Sequence, residues 1–371
     1  MNELHYLDNA STTRVSAGAA AAVLYAMETA YGNPSSVHKM GIEAEGLVET
    51  ARERVAKALG CAGDEIYFTS GGTEADNFAL IRGAESLARK GRHIITTSAE
   101  HPAVLNTAKY LETKGFEVNY LRSTRTGSIS LEELESLIRP DTALLSMMLI
   151  NNETGTLLPV DKAAKLFKEK NPEGLVHTDA VQAFMKYKFT PAELGADMLS
   201  LSSHKIHGPK GVGALYIKKG VNLPPYMFGG GQQKGMRPGT EAVGGISGFG
   251  VAAQEAAGGM DMNIGLIGQL RGRLLEGLEK LSGVTVIAAG NSIVNFSVPK
   301  YPSEVLIRML ESRNIYVSSG SACAKGKDSH VLDAMHIDKR LIRSAVRVSF
   351  SSQNDAGDVD ALLSAIEEII L

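Results

Sequence analysis

Between Glu65 and Ile217 short apolar runs alternate with amphipathic ones, and this alternation restricts what the chain can fold into more than any other feature. Strand-like runs begin near Glu65, His93, Phe116, Thr142, Gly174, Asp197 and Val212; helical patterns between several of them start at Thr73, Pro102, Ser130 and Pro159. Strands separated by helices do not pair as hairpins. They build a mostly parallel sheet covered on both faces, with ligands gathered beyond the carboxyl ends of its strands. Within this stretch Ser130-Leu-Glu-Glu133 reads as a reciprocal capping box.

The flanks read differently. Tyr6-Leu-Asp-Asn-Ala-Ser-Thr-Thr13 is apolar and then polar, a short strand or a docking arm. Ser16 is placed to cap an alanine-rich helix to about Ala30, Gly32-Asn33-Pro34-Ser35-Ser36 breaks the chain, and a second helix ends at Gly60. Beyond Gly250 come a long helix from Asn263 to Leu281, strands near Val284 and Ile293, and a helix from Ser303. Strands at Asn314 to Val317 and Ala345 to Phe350 and a final helix to Leu371 complete an α+β pattern. A chain of 371 residues exceeds the roughly 250 to 300 that one core supports. The expected division is an N-terminal arm, 1–15, packed with a small domain; a large domain, 16–250; and the small domain itself, 251–371. The glycine-rich Phe228 to Thr240 has the composition of a linker, although Arg237 and Thr240 within it suit anions.

Composition excludes several classes of function. A formal charge of −3 with no basic stripe argues against nucleic acid as a ligand. No apolar run approaches the roughly 20 residues that span a bilayer, and Met1-Asn-Glu-Leu-His lacks the charged and apolar regions of a leader, so no membrane association and a cytoplasmic location are expected. Two cysteines, Cys61 and Cys323, cannot form a disulfide framework and are expected to be thiols.

Chemistry concentrates at Ser200-Leu-Ser-Ser-His-Lys205-Ile-His-Gly-Pro-Lys-Gly-Val-Gly213, where a lysine lies in a loop between two buried-strand patterns. A lysine held there can form a Schiff base, because its amine is a nucleophile whose pKa falls when it is desolvated. Upstream, Val176-His-Thr-Asp179 ends an apolar run on an acid. Lys205 and Asp179 together suggest pyridoxal phosphate: the lysine takes the aldehyde as an imine, and the carboxylate keeps the pyridine nitrogen protonated. The phosphate then needs a seat. Thr69-Ser-Gly71-Gly72-Thr73, following a strand and opening a helix, offers backbone amides and a hydroxyl.

Cys323 lies in the small-residue loop Val317-Ser-Ser-Gly-Ser-Ala-Cys-Ala-Lys-Gly-Lys-Asp328, where Lys325 and Lys327 favour a thiolate. Cys61, just past a helix end, reads as structural.

With these residues in place the sequence resembles the pyridoxal-phosphate cysteine desulfurases of the IscS/NifS type, in the class V aminotransferase family. The resemblance runs from Tyr6 to about Phe350 through an ordered series of motifs. These include Gly32-Asn-Pro-Ser-Ser, Thr69 to Asn77, Glu100-His101 and Asn151-Asn152-Glu-Thr-Gly155. His177 to Gln182, Ser202-Ser-His-Lys205, Arg237-Pro-Gly-Thr240, Ser318 to Cys323 and Val346-Arg-Val-Ser349 continue it.

The resemblance implies a fold type I enzyme with a seven-stranded large-domain sheet and a smaller α+β domain. It implies that Lys205 holds the cofactor and moves the substrate Cα proton, that His101 stacks on the ring and assists proton transfer, and that Asp179 and Gln182 meet the ring nitrogen and phenolic oxygen. Gly72, Thr73, Ser202 and His204 would hold the phosphate, with Thr240 reaching in from a second copy in a homodimer. Asn152, which also faces the cofactor, Arg347, Asn33 and Ala10 would meet the substrate, L-cysteine. Cys323 would take its sulfur as a persulfide and pass it to an acceptor protein, an iron–sulfur scaffold or a tRNA-thiolation enzyme. No metal site is expected beyond a transient iron–sulfur contact at Cys323. Two other readings stand beside this one: a selenocysteine lyase or other pyridoxal-phosphate lyase or aminotransferase on the same fold, and a non-enzymatic sulfur carrier, which would not need Lys205, Asp179 and His101 together.

Overall fold

In the computed structural model, which describes residues 4–320 and 328–371, the alternating segment forms a seven-stranded sheet. Numbered along the chain, the strands are β1 (His5–Tyr6), β2 (Ile66–Thr69), β3 (His93–Thr97), β4 (Glu117–Leu121), β5 (Thr142–Ser146) and β6 (Leu175–Asp179). Then follow β7 (Met198–Ser202), β8 (Gly213–Ile217), β9 (Thr285–Gly290), β10 (Ile293–Ser297), β11 (Ile315–Tyr316) and β12 (Ala345–Ser349). The large sheet runs β2-β8-β7-β6-β5-β3-β4, and only β8 is antiparallel to its neighbours. The carboxyl ends of β2, β3, β5, β6 and β7 therefore open on one edge. Strands β3, β5, β6, β7 and β8 are buried along their whole length, which is why they read as continuous apolar runs rather than alternating ones.

Local chemistry sets the helix ends. Ser16 accepts a hydrogen bond from the Ala19 amide and starts Ala17–Glu28; Gly60, at φ 79°, closes Lys39–Leu59 in the left-handed conformation that glycine adopts without strain. Ser130 caps Leu131–Leu137 through the Glu133 amide, but the box is not reciprocal. The Glu133 carboxylate turns instead to Arg122, 3.3 Å away, where an opposite charge outcompetes the Ser130 amide.

The helix Val243–Gly258 crosses position 250, and Phe249, Ala252 and Ala253 join the core of the large sheet. A Cβ on Gly250 would stand 2.6 Å from Ala51 Cα, so this helix and Lys39–Leu59 approach closely only because position 250 has no side chain. The next helix, Met260–Leu278, sends Ile267, Leu270, Leu274 and Leu278 into a separate core with Phe296, Leu306, Val346, Phe350 and Leu362. That core lies beneath the antiparallel sheet β12-β10-β9. Leu7 belongs to it as well, because β1 pairs in parallel with β11.

The glycine-rich segment is not a linker. Its Gln233 is buried, and the side-chain oxygen accepts from Arg52 Nη1 at 3.1 Å and from the Phe68 amide at 2.9 Å. Those bonds tie the segment to the strand that leads into the glycine turn at residues 71 and 72.

Candidate active site

At the carboxyl edge of the large sheet lies a cavity of about 260 Å³, walled by residues of the large domain, of the arm and of β12. Gly72 and Thr73 reach it from the start of the helix Gly72–Leu87, directly after β2. Gly71 sits at φ 154°, ψ −178°, a region in effect reserved for glycine, and among the described residues no side chain caps this helix. A Cβ on Gly72 would stand 2.7 Å from Val181 Cγ2. The turn therefore presents bare backbone to the cavity, flanked by Ser202 and His204.

Asp179 is the last residue of β6 and is buried; its Oδ1 accepts from the Val181 amide at 2.9 Å. Burial pushes its carboxyl up to about 6, against the opposing pull of that amide and of Lys205. Lys205 closes the short turn after β7 and donates to the carbonyls of Ala10 and Ser11 at 2.6 and 2.7 Å. The arm is stitched to the same turn: the Thr13 amide and hydroxyl reach the His204 carbonyl at 2.9 and 3.0 Å, and the His207 amide reaches Thr13 Oγ1 at 2.8 Å. Burial first, and the neighbouring lysines second, push His204 down to about 3, so it is neutral at pH 7.

His101 caps the helix Pro102–Thr113, its Nδ1 accepting from the Ala103 amide at 3.1 Å. That bond puts the proton of the neutral ring on Nε2. Burial, then the charges of Lys205 and His330, hold its pKa down to about 4, so the imidazole is uncharged through the neutral range.

Arg347 sits on β12 and is 1% exposed, far from the surface ion pair a lone arginine usually makes. Its Nη1 donates to the Asn152 carbonyl at 2.8 Å, and its Nη2 donates to Asp8 Oδ1 at 2.8 Å and Ser11 Oγ at 2.7 Å. Arg347 Nε and Asn152 Oδ1 are buried with no hydrogen-bond partner among the described residues. An orphaned guanidinium N–H beside a cavity is what a ligand carboxylate would satisfy, while the orphaned Asn152 oxygen calls for a donor.

The cavity thus gathers Ala10, Gly72, Thr73, His101, Asn152, Asp179, Gln182, Ser202, His204, Lys205 and Arg347, all expected from the sequence. Asn33 and Thr240 are exposed and line no part of it; Asn33 accepts from the Ser35 amide at 2.9 Å. Arg237 takes up an anion of the chain itself. Its Nε donates to Glu74 at 2.9 Å, pinning the glycine-rich segment to the first turn of Gly72–Leu87. Cys323, with Lys325 and Lys327, lies outside the described residues. Cys61 is half-buried, and burial pushes its thiol up to about 12, which keeps it unreactive.

Sequence reasoning missed two buried groups. Asp76, one helical turn beyond Gly72, lines the cavity with an Oδ1 that has no hydrogen-bond partner among the described residues. Burial and then the Asp179 charge push its carboxyl well up, while burial takes the His177 ring beside it, 3.6 Å away, down to about 3, so the imidazole is neutral and the contact is not an ion pair. The other is Lys186, four residues after Gln182 on a turn that departs from helical geometry at Met185, φ 61°. Neither has a sequence signal of its own.

A lysine after the penultimate large-sheet strand in chain order, an acid at a neighbouring strand end and a glycine turn opening a helix are here one site on a two-core α/β frame. The chain belongs to the aminotransferase class-V family, which it matches over residues 5–362. Within that class it is similar to the protein named cysteine desulfurase IscS of Methanosarcina thermophila, 41% identical over 100% of this chain and 92% of that one. The cysteine desulfurase of Nostoc sp. is 40% identical over 98% of this chain and 92% of its own length. A solved structure titled NifS-like protein superposes with a TM-score of 0.94 at 42% identity, covering 99% of each chain, and fixes the architecture as fold type I. The structure titled "SspA in complex with cysteine" superposes with a TM-score of 0.83 at 33% identity, over 95% of this chain and 100% of that one.

Proposed function

We infer that this chain is a cysteine desulfurase, which takes sulfur from L-cysteine and releases L-alanine. The observation that carries the reading is the convergence of Lys205, Asp179, His101 and Arg347 on one cavity, in a chain alike over its full length to proteins of that name.

Pyridoxal phosphate fits the residues present. The bare glycine turn with Ser202 and His204 suits its phosphate, Asp179 its ring nitrogen, Gln182 its phenolic oxygen and the Lys205 amine its aldehyde. When bound, the cofactor supplies an electron sink that acidifies the substrate Cα–H. The protein does the rest. Arg347, through the Nε–H that has no partner among the described residues, and Asn152, through its amide N–H, receive the substrate carboxylate. Lys205 carries the proton from Cα, and the neutral His101 covers the ring while offering its Nε2 proton. The Cys323 thiolate attacks the substrate sulfur: an S–S bond forms, the Cβ–S bond breaks, and its electron pair remains on Cβ, which takes up a proton as alanine leaves. The persulfide on Cys323 then passes to an acceptor protein, and a cytoplasmic location suits its free thiol.

A second copy of the chain completes the site. Thr240 and Asn33 are exposed, and so are Met27, Tyr31, Ile42 and Phe228, large apolar side chains that a homodimer would cover.

The test is an absorbance spectrum of the purified protein before and after L-cysteine, with alanine and sulfide assayed in the same tube. A visible band that changes, with both products, supports the reading. Cys323→Ser should keep the band and lose sulfide release; unchanged release refutes the role of Cys323. Full turnover of L-selenocysteine by Cys323→Ser, without turnover of L-cysteine, would move the assignment to a selenocysteine lyase.

A further inference from the structure

The buried Lys186 and the half-buried Lys205 are joined by one chain of hydrogen bonds. Lys186 Nζ donates to Gln182 Oε1 at 3.4 Å; Gln182 Nε2 donates to the Ala10 carbonyl at 2.9 Å; and the same carbonyl accepts from Lys205 Nζ at 2.6 Å. Gln182 lines the cofactor cavity. Lys186 lies behind it, 8% exposed, in the wall of a second cavity of about 140 Å³ that Lys205 also borders.

We propose that Lys186 is a positioning residue of the active site: its ammonium holds the Gln182 carbonyl away from the cavity, so that Gln182 presents its amide N–H, and adds a positive charge beside Lys205. The proposal rests on the cofactor reading above, in which Gln182 meets the phenolic oxygen.

The chemistry of the side chains decides the orientation. A carboxamide has a donor end and an acceptor end of nearly the same shape, and which end faces a ligand determines whether it can bind an oxyanion. Ammonium only donates, so protonated Lys186 satisfies Oε1 and not Nε2. The Ala10 carbonyl favours the same orientation, but it is shared with Lys205 and belongs to an arm held by hydrogen bonds to other elements. Lys186 is fixed inside the large domain, between the turn after β6 and the helix Val243–Gly258.

A buried ammonium with a single side-chain partner is costly unless it serves an orienting or electrostatic role. The charged and titratable groups around it are Lys205 and Arg347 from the site, His204 and His207 from the turn after β7, and Glu255 across the second cavity. Burial, and then the charges of Lys205 and Arg347, push Lys186 down to about 7. Lys186 thus places a second cationic group in the wall of the cavity that Lys205 also borders.

The test uses the cofactor-loaded enzyme and reads the pH midpoint of its visible absorption band, which reports the proton held between Lys205 Nζ and the cofactor. An amide donor on the phenolic oxygen and a nearby cation both disfavour that proton, so removing them raises the midpoint. Lys186→Met should raise it by about one pH unit, and Lys186→Arg should restore it. Gln182→Leu should raise it too, and the double variant should rise by less than the sum of the two singles. If Lys186→Met does not fold, Lys186→Gln, which removes the charge, is compared with Lys186→Arg in the same way. A variant that loses thermal stability while its midpoint stays at the wild-type value would show Lys186 to be mere filling and overturn the proposal alone. A wild-type protein that takes up no pyridoxal phosphate would overturn the cofactor reading and the proposal with it.

Discussion

Glu74 and Arg237, 163 residues apart, form a two-pronged ion pair: Arg237 Nε meets Glu74 Oε1 at 2.9 Å and Nη2 meets Oε2 at 3.3 Å. The same carboxylate accepts from the Ser70 amide at 3.0 Å, on the approach to the glycine turn. One side chain thereby clamps the end of β2 to the segment that carries Thr240 toward the surface.

Glu74→Gln should loosen that clamp. A hydrogen bond to a charged, part-buried group contributes about 1 to 2 kcal/mol, and cofactor affinity should fall together with Tm because the turn that would seat the phosphate loses its support. Burial raises the Glu74 pKa, but the bonds from Arg237 and Ser70 outweigh it and hold the carboxyl below its usual value. Such a group stabilises the fold above its unfolded pKa and loses that contribution as pH falls through the folded one. The difference in Tm between wild type and Glu74→Gln should therefore shrink on acidification below pH 5, as read by thermal melts across that range.

Glu100 predicts the opposite slope. It is fully buried, its Oε1 accepts from Thr97 and the Met148 amide, both at 2.9 Å, and its Oε2 has no partner among the described residues. Burial pushes its carboxyl up to about 8. Between its ordinary value of 4.5 and 8 the folded chain keeps a proton that the unfolded chain has released, so stability falls as pH rises through that window. Glu100→Gln cannot ionise and keeps an oxygen for the two donors. Its Tm advantage over wild type should grow from pH 5 to pH 8 and then level; a constant gap would show that Glu100 does not titrate there.

Arg347→Lys should separate binding from chemistry. Lysine is a point donor and cannot reproduce a guanidinium that serves Asn152, Asp8 and Ser11 and still offers Nε. The KM for L-cysteine should rise about 10-fold to 100-fold, the equivalent of one or two lost charge-assisted bonds, with a smaller change in kcat. Steady-state kinetics decide it, and an unchanged KM would remove Arg347 from the carboxylate site.

The exposed apolar side chains, with Thr240 at the surface, predict a dimer. Sedimentation should give twice the chain mass, and Phe228→Asp combined with Met27→Asp should shift it toward one chain while weakening cofactor retention. A wild-type protein that stays monomeric at micromolar concentration would leave Thr240 without a site to complete.

The sequence alone determined the frame, because most of its strands are buried on both faces and bounded by turn residues. The seven strand starts expected from Glu65 to Val212 each fall within a residue of the observed ones. The chemistry of Lys205, Asp179 and the glycine turn was legible for a related reason: reactive groups at strand ends interrupt apolar runs and stand out from them. Tertiary structure decided what depends on partners distant in the chain. Composition alone cannot show that Gln233 and Arg237 bind Arg52 and Glu74, so their segment resembled a linker. The Ser130 box failed for the same reason, since Arg122 competes for Glu133 only once β4 and Leu131–Leu137 are packed. Lys186 and Asp76 gain meaning only from burial, because a lysine in water and an aspartate in water have ordinary pKa values and nothing to orient. Ala10 reaches Lys205 only because the arm's strand β1 pairs with β11 and Thr13 binds the His204 turn, contacts that no local pattern encodes.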